Sequence, residues 1–230
     1  GDTDCAFFPT FSMNPSFPKH LLGSCQHVVR TVDATASPVA WTTIGPRLAQ
    51  HRGNYITAAT EAPGNSDVIY AVRNDNAVFV TSNAGEGDGA TWIQVMQTPN
   101  LDDIHAVSVH PTDPRTAYLA CNSGVYKTTD MGTTWVEQGV QDLIYRDVAI
   151  DPANPEHIFA ASNAGVFAST DGGLTWGNLS DGIPTGMVVT SLSLNATNRQ
   201  LAAATFGRGV YMLDVGESER AHPAPRPTRH

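Results

Sequence analysis

Two eight-residue segments align without a gap, Thr-Thr-Asp-Met-Gly-Thr-Thr-Trp at 128–135 and Ser-Thr-Asp-Gly-Gly-Leu-Thr-Trp at 169–176. Both read Ser/Thr-x-Asp-x-Gly-x-Thr-Trp. Degenerate copies precede them. Thr31-Val32-Asp33 leads to Trp41 with three extra residues in the turn, and Thr81-Ser82-Asn83 leads to Trp92 with four, so every tryptophan of the chain follows such a turn. Measured at the acidic position the period is 50, 47 and 41 residues. Self-similarity at a spacing of about 20–50 residues is the mark of a repeat architecture and decides the fold class before any residue-level argument.

Upstream of each turn the same pattern returns: an apolar-alternating stretch, an Asn/Asp/Pro turn, a second strand, a Gly- or Asn-containing turn and a third strand. Residues 106–130 and 147–171 show it best, 11–33 and 56–83 are variants, and a fifth copy at 191–214 stops after its third strand. Short period-two strands repeated every 40–50 residues predict an all-β chain of four-stranded antiparallel propeller blades, about five of them, with the last lacking its outer strand. The blades are expected over 1–214, and a Pro- and Arg-containing extended tail over 215–230. The turn residues have a structural chemistry. Asp33, Asn83, Asp130 and Asp171 accept main-chain N–H bonds, Gly132 and Gly173 take a positive φ, and Trp135 and Trp176 pack between sheets.

Charge narrows the partners. The net charge is −9 and the only lysines are Lys19 and Lys127, which excludes an electrostatic footprint for nucleic acid. Membrane insertion is not expected either, because no apolar run approaches the roughly 18 residues of a spanning helix. Of three cysteines, Cys5 and Cys25 are the expected disulfide, since Cys121 falls in a run that reads as a buried strand; three reduced core cysteines are the alternative. No metal site is expected from the eight histidines, which lack i, i+2 or i, i+4 pairing, and no cofactor. A structural Ca²⁺ at the turns 111–114 and 151–155 would need six to eight oxygens, more than these stretches offer.

The turn motifs, in register with the strand pattern, resemble the Asp-box (BNR-repeat) propellers: sialidases, sortilin-type receptors, xyloglucan-processing glycoside hydrolases and related bacterial secreted proteins. The resemblance covers roughly residues 9–214. It implies an extracellular, cell-surface or periplasmic location. Residues 204–211, Ala-Thr-Phe-Gly-Arg-Gly-Val-Tyr, resemble the closing strand pair of a last blade. Either residues 1–9 supply the missing outer strand of a five-bladed ring, or the repeats are the C-terminal part of a larger propeller, the arrangement the resemblance favours.

Function is less constrained. Sialidases of this superfamily carry an Arg-Ile-Pro motif and an arginine triad; the motif is absent here and the eleven arginines are scattered. Xyloglucan-type hydrolases use two aspartates across a cleft, in the paired-carboxylate logic of glycoside hydrolysis. Asp102, Asp103, Asp142 and Asp181, opposite the Asp turns, are the candidates for one side of such a pair. The same face should gather Arg47, His51, Arg52, Arg73, Asp75, His105, Tyr145, Arg146 and Arg208 as a glycan- or protein-binding surface, because loops on a rigid scaffold carry most binding function. The leading expectation is a non-catalytic binding or assembly module whose partner is a glycan, a protein, the rest of a larger propeller or an extracellular assembly. A glycoside hydrolase subdomain is the alternative.

Overall fold

The computed structural model describes residues 10–49, 53–97, 103–140 and 142–216. They form five antiparallel sheets whose strands follow chain order. Sheet 1 holds β1 (Thr10–Met13), β2 (Leu21–Ser24), β3 (Val28–Thr31) and β4 (Thr42–Ile44). Sheet 2 holds β5 (Ile56–Ala62), β6 (Asn65–Arg73), β7 (Ala77–Thr81) and β8 (Ile93–Gln97), with a short 3-10 helix, Ala84–Gly89, before β8. Sheet 3 holds β9 (Ile104–Val109), β10 (Ala117–Cys121), β11 (Gly124–Thr128) and β12 (Val136–Gln138), and sheet 4 holds β13 (Tyr145–Ile150), β14 (Ile158–Ser162), β15 (Gly165–Ser169) and β16 (Gly177–Asn178). Sheet 5 has three strands, β17 (Val189–Asn195), β18 (Gln200–Thr205) and β19 (Gly209–Asp214). The chain is therefore a row of β-propeller blades, of which the fifth shows three strands among the described residues. The fourth strand expected from residues 1–9 and the tail beyond 216 lie outside the described residues.

Second strands such as β10 and β14 are buried at every position, which requires cover on both faces. Their composition, Ala-Tyr-Leu-Ala-Cys and Ile-Phe-Ala-Ala-Ser, is apolar or small throughout, as burial on both faces requires. Each pair of successive sheets encloses its own apolar core, so four cores run along the row. First strands pack in succession, β1 on β5, β5 on β9, β9 on β13 and β13 on β17; among the described residues no comparable packing joins β17 to β1.

Hydroxyls tie the first strands together. Ser12 Oγ donates to the carbonyl of Ala59 at 2.7 Å, Thr60 Oγ1 to that of Val107 at 2.9 Å, and Ser108 Oγ to that of Val148 at 2.6 Å. The strand registers make Ser12, Thr60 and Ser108 equivalent positions of three sheets, so one side-chain device is used three times. Between sheets 1 and 2 the tie is ionic as well. Buried Glu61 accepts from Asn14 Nδ2 at 2.7 Å, lies 2.9 Å from His20 Nδ1 and pairs with Arg30 at 3.4 Å.

Each residue type of the repeated turn has a partner. Thr128 Oγ1 accepts the Gly132 N–H at 2.9 Å and donates to Asp130 Oδ1 at 2.8 Å. Asp130 in turn accepts the N–H and the hydroxyl of Thr134, both at 2.8 Å. Ser169, Asp171, Gly173 and Thr175 repeat these bonds. At Gly132 φ is +86° and a Cβ would lie 2.7 Å from Val95 Cγ2, so both backbone conformation and space demand glycine. Asn83 performs the same function across a longer excursion, its Oδ1 accepting Thr81 Oγ1 at 2.9 Å and the Thr91 N–H at 3.0 Å. Asp33 departs from the pattern: its Oδ1 reaches only as far as Thr35, closing a two-residue turn.

The tryptophans that end these turns pack backward. Trp92 joins the core of sheets 1 and 2, with Nε1 donating to the Ile44 carbonyl at 2.8 Å; Trp135 joins that of sheets 2 and 3, and Trp176 that of sheets 3 and 4. Trp41 differs from these three. No sheet of the described residues precedes its own, and it is exposed, with only Phe11 edge-on at 6.5 Å.

Candidate functional site

On the face opposite the Asp turns, each first strand after sheet 1 is interrupted by a β-bulge. The register shifts between Ile56 and Ala58, Ile104 and Ala106, Tyr145 and Asp147, and Val189 and Ser191, leaving Thr57, His105, Arg146 and Thr190 as the extra residues. A bulge breaks the period-two alternation and re-aims the side chain it carries. Two of these residues meet: Arg146 Nη1 is 2.9 Å from His105 Nε2. Nε2 also lies 2.8 Å from Asn122 Oδ1, and Asn122 Nδ2 donates to Asp103 Oδ2 at 3.3 Å. One ring nitrogen either donates or accepts, so His105 can serve Asn122 or Arg146 but not both at once. The result is a polar chain, Asp103, Asn122, His105 and Arg146, that crosses from sheet 3 to sheet 4 and in which His105 Nε2 makes one of its two bonds at a time.

Asn122 was not singled out from the sequence, although a signal exists. Asn74, Asn122 and Asn163 hold equivalent places in the turns after β6, β10 and β14, and the backbone N–H of each bonds the carbonyl of Tyr55, Asp103 or Ile144. In sheets 2 and 4 the side chain is structural, Asn74 Oδ1 accepting the Tyr55 N–H and Asn163 Oδ1 the Ile144 N–H, both at 3.2 Å. In sheet 3 the amide is diverted to His105 and Asp103.

The other residues expected on this face divide. Arg73 grips Asp75 through Nε and Nη2 at 2.8 and 2.9 Å, donates to the Leu48 carbonyl at 2.7 Å and lies over the Phe79 ring. Arg47 donates to the Ala49 carbonyl at 2.7 Å. These contacts brace the sheet 1 to sheet 2 connection. Tyr145 corrects the sequence reading. It is fully buried and its hydroxyl bonds both the N–H and the carbonyl of Val140, so burial pushes its phenol up to about 12 and leaves nothing for a ligand. Arg208, Asp142 and Asp181 are exposed in loops, apart from the polar chain. His51, Arg52, Asp102 and Cys5 lie outside the described residues. Cys25 is disulfide-bonded, and Cys121 is free and buried.

Among the described residues no group of three or more His, Cys, Asp or Glu is arranged to hold a metal ion. The carboxylates of the Asn/Asp/Pro turns are committed. Asp113 accepts from Arg115 N and Thr116 Oγ1, and fully buried Asp151 accepts from Ala153 N and pairs with Arg199. No helix among the described residues is long and apolar enough to cross a membrane.

No family model matches the chain, and a comparison with curated proteins gives no match. Solved structures do match. An ancestral GH74 enzyme superposes with a TM-score of 0.63 at 16% identity, over 88% of this chain and 30% of that one. The GH74 enzyme of Niastella koreensis gives 0.66 at 16%, over 89% and 35%, and the GH74 xyloglucanase of Xanthomonas campestris 0.60 at 16%, over 85% and 33%. The β-propeller domain of Myceliophteria thermophila Cps50 (Swd1) gives 0.64 at 13%, over 89% and 68%. The chain thus spans about a third of the GH74 enzymes, and what it shares with all four is the β-propeller fold.

Proposed function

We propose that the chain is a non-catalytic propeller module of the Asp-box type that binds a glycan or protein ligand on the face opposite its Asp turns, outside the cytoplasm. The observation that carries this reading is the polar chain Asp103, Asn122, His105 and Arg146, in which two bulge residues and a diverted asparagine present an open donor or acceptor beside a guanidinium. Such a set suits a ligand with carboxylate, hydroxyl or amide groups. The bonded Cys25 supports an oxidising compartment. The test is a panel of glycans and peptides titrated against the chain. Arg146→Ala and His105→Ala should each weaken the bound ligand about tenfold or more, while Arg208→Ala leaves it unchanged. Equal affinity for all three variants would refute the assignment.

A glycoside hydrolase subdomain is the second reading, favoured by the superposition on GH74 enzymes. A two-carboxylate mechanism needs an acid and a base in defined positions across the scissile bond. Turnover of xyloglucan oligosaccharides abolished by Asp103→Asn, Asp142→Asn or Asp181→Asn would establish it.

A further inference from the structure

The amide of Asn122 has its orientation fixed from one side. A carboxylate only accepts hydrogen bonds, so Asp103 Oδ2, 3.3 Å away, holds Nδ2 of Asn122 and leaves Oδ1 turned towards the ring of His105. Oδ1 is itself only an acceptor and lies 2.8 Å from His105 Nε2, which must therefore carry the ring proton. The 2.9 Å approach of Arg146 Nη1 to the same nitrogen is then donor against donor. A chain that starts at a group able only to accept and ends at one able only to donate is satisfied throughout when every link passes the bond on, and a single ring nitrogen cannot do so. The deficit falls on Arg146.

The guanidinium has no carboxylate to turn to among the described residues. Arg30, Arg73 and Arg199 are each matched by one, Glu61, Asp75 and Asp151. Arg47 is held by a carbonyl, and Arg115 and Arg208 are exposed. Arg146 is half-buried at the joint of sheets 3 and 4, where a charge-assisted bond is less weakened by water than on an open surface. What completes the chain is therefore an acceptor, and a negatively charged one.

The surroundings limit that anion. The chain carries a net charge of −9, and Asp103 stands exposed at the other end of the same polar chain. A run of acidic residues or a densely sulfated polymer would be repelled there. A single carboxylate flanked by hydroxyls instead sets its charge on Arg146 and offers a hydroxyl donor to Asp103. We propose that the group seated on Arg146 is the carboxylate of a hexuronate in a glycan, with Asn122 and Asp103 as positioning residues that keep His105 from satisfying the guanidinium in its place. This rests on the reading of the face as a binding face and adds the class of ligand to it.

Three methyl glycosides that differ only at C6 test it: a glucuronoside with a carboxylate, a glucoside with a hydroxymethyl group and a glucuronamide with an amide. Each is titrated into the chain and followed in the nitrogen NMR spectrum of its histidines, alongside a capped Gly-Glu-Gly peptide. The glucuronoside should bind about tenfold or more tightly than the neutral sugars and the peptide, Arg146→Gln should remove that preference, and Arg115→Ala should preserve it. In the free protein at about pH 8, where imidazole is neutral, His105 should be the Nε2–H tautomer. Asn122→Ala should convert it to Nδ1–H, because Nε2 is then free to accept from Arg146, and should weaken the glucuronoside about threefold to tenfold; an asparagine that served only the turn would not move the tautomer. The resonances of the other histidines report that each variant is folded. Equal binding of the three sugars, lost in Arg146→Gln, overturns the uronate and keeps the binding face, and a preference for the peptide assigns the carboxylate to a protein partner and overturns it too. An Nδ1–H tautomer in the unmodified chain overturns the positioning role, and binding of none of the probes overturns the binding face together with its ligand.

Discussion

The side chain of Asp147 accepts the main-chain N–H of Leu192 at 2.8 Å, joining sheet 4 to sheet 5 at the interface where the repeated hydroxyl is missing. Ala149 occupies the place of Ser12, Thr60 and Ser108 there and has nothing to donate. Asp147 also accepts from Ser191 Oγ at 3.0 Å, so a carboxylate clasps a bulge where a hydroxyl elsewhere clasps a carbonyl.

Removing that carboxylate orphans a buried backbone donor. Asp147→Ala should cost about 1–3 kcal/mol, read as a lower denaturation midpoint at unchanged slope. Burial holds the Asp147 carboxyl above its ordinary value of 3.8, with the bonds from Leu192, Ser191 and Val148 pulling the other way. A raised acid favours the folded state below 3.8, and that contribution is lost as pH rises through the raised value. Asp147→Asn should abolish this component of the pH profile, and an unaltered profile would show that Asp147 does not titrate differently on folding.

Glu61 poses the opposite case, a buried carboxylate whose partner cannot lose its charge. Glu61→Ala leaves the Arg30 guanidinium buried between sheets 1 and 2 and should destabilise by about 3–5 kcal/mol. The double change Glu61→Leu with Arg30→Met should recover much of it. If the double variant is no more stable than the single one, the cost lies in packing rather than in the orphaned charge.

The Asp turns predict a weak acid transition. Hydrogen bonds from the Thr175 hydroxyl and N–H hold Asp171 down to about 2 against an ordinary value of 3.8. A depressed carboxyl stabilises the fold above 3.8 and loses that contribution as pH falls towards 2. The turn lies at the surface, where solvent screens the carboxylate, so the contribution is small. Asp171→Asn should erase it while preserving the turn, as Asn83 does in sheet 2; loss of the sheet 4 signal at neutral pH would contradict this.

Thiol chemistry follows from burial. Cys121 is buried on β10 and its thiol is pushed up to about 12, so alkylating reagents should leave the native protein unmodified at neutral pH. After denaturation without reductant one thiol per chain should react. Three would show that Cys25 is not bonded.

Trp176 and Trp135 hold equivalent places but differ in one bond. Trp176 Nε1 donates to the Gly173 carbonyl at 2.9 Å, whereas Trp135 Nε1 is buried without a hydrogen-bond partner. Truncation of either to Ala should cost about 3–5 kcal/mol. Phenylalanine separates them: Trp176→Phe should cost about 1 kcal/mol more than Trp135→Phe in parallel melts.

The blades were legible because the turn chemistry is local. Thr128, Asp130, Gly132 and Thr134 satisfy one another within seven residues, so their spacing survives in sequence wherever the turn does. The site was only partly legible, because a bulge changes strand parity without a sequence signature of its own. Tyr145 and Arg146 both read as surface residues at a strand start, yet the shift between Tyr145 and Asp147 turns the first into the core and the second towards His105. Asn122 escaped notice because its counterparts Asn74 and Asn163 are ordinary turn residues; only the bonds distinguish it. Trp41 follows a turn like those of the packed tryptophans yet is exposed, a difference the repeat itself does not encode.

The bond from Thr91 N–H to Asn83 Oδ1 closes an excursion that includes the whole of Ala84–Gly89, yet β7 and β8 on either side keep their pairing. One side-chain oxygen thus insulates the sheet from whatever lies between the two residues. Loop length at this corner is decoupled from the stability of the strands, since longer closures add entropy cost only logarithmically. That makes a turn bridged in this way a port at which evolution, or a designer grafting a peptide, can lengthen the chain while the blade beneath goes on folding as before.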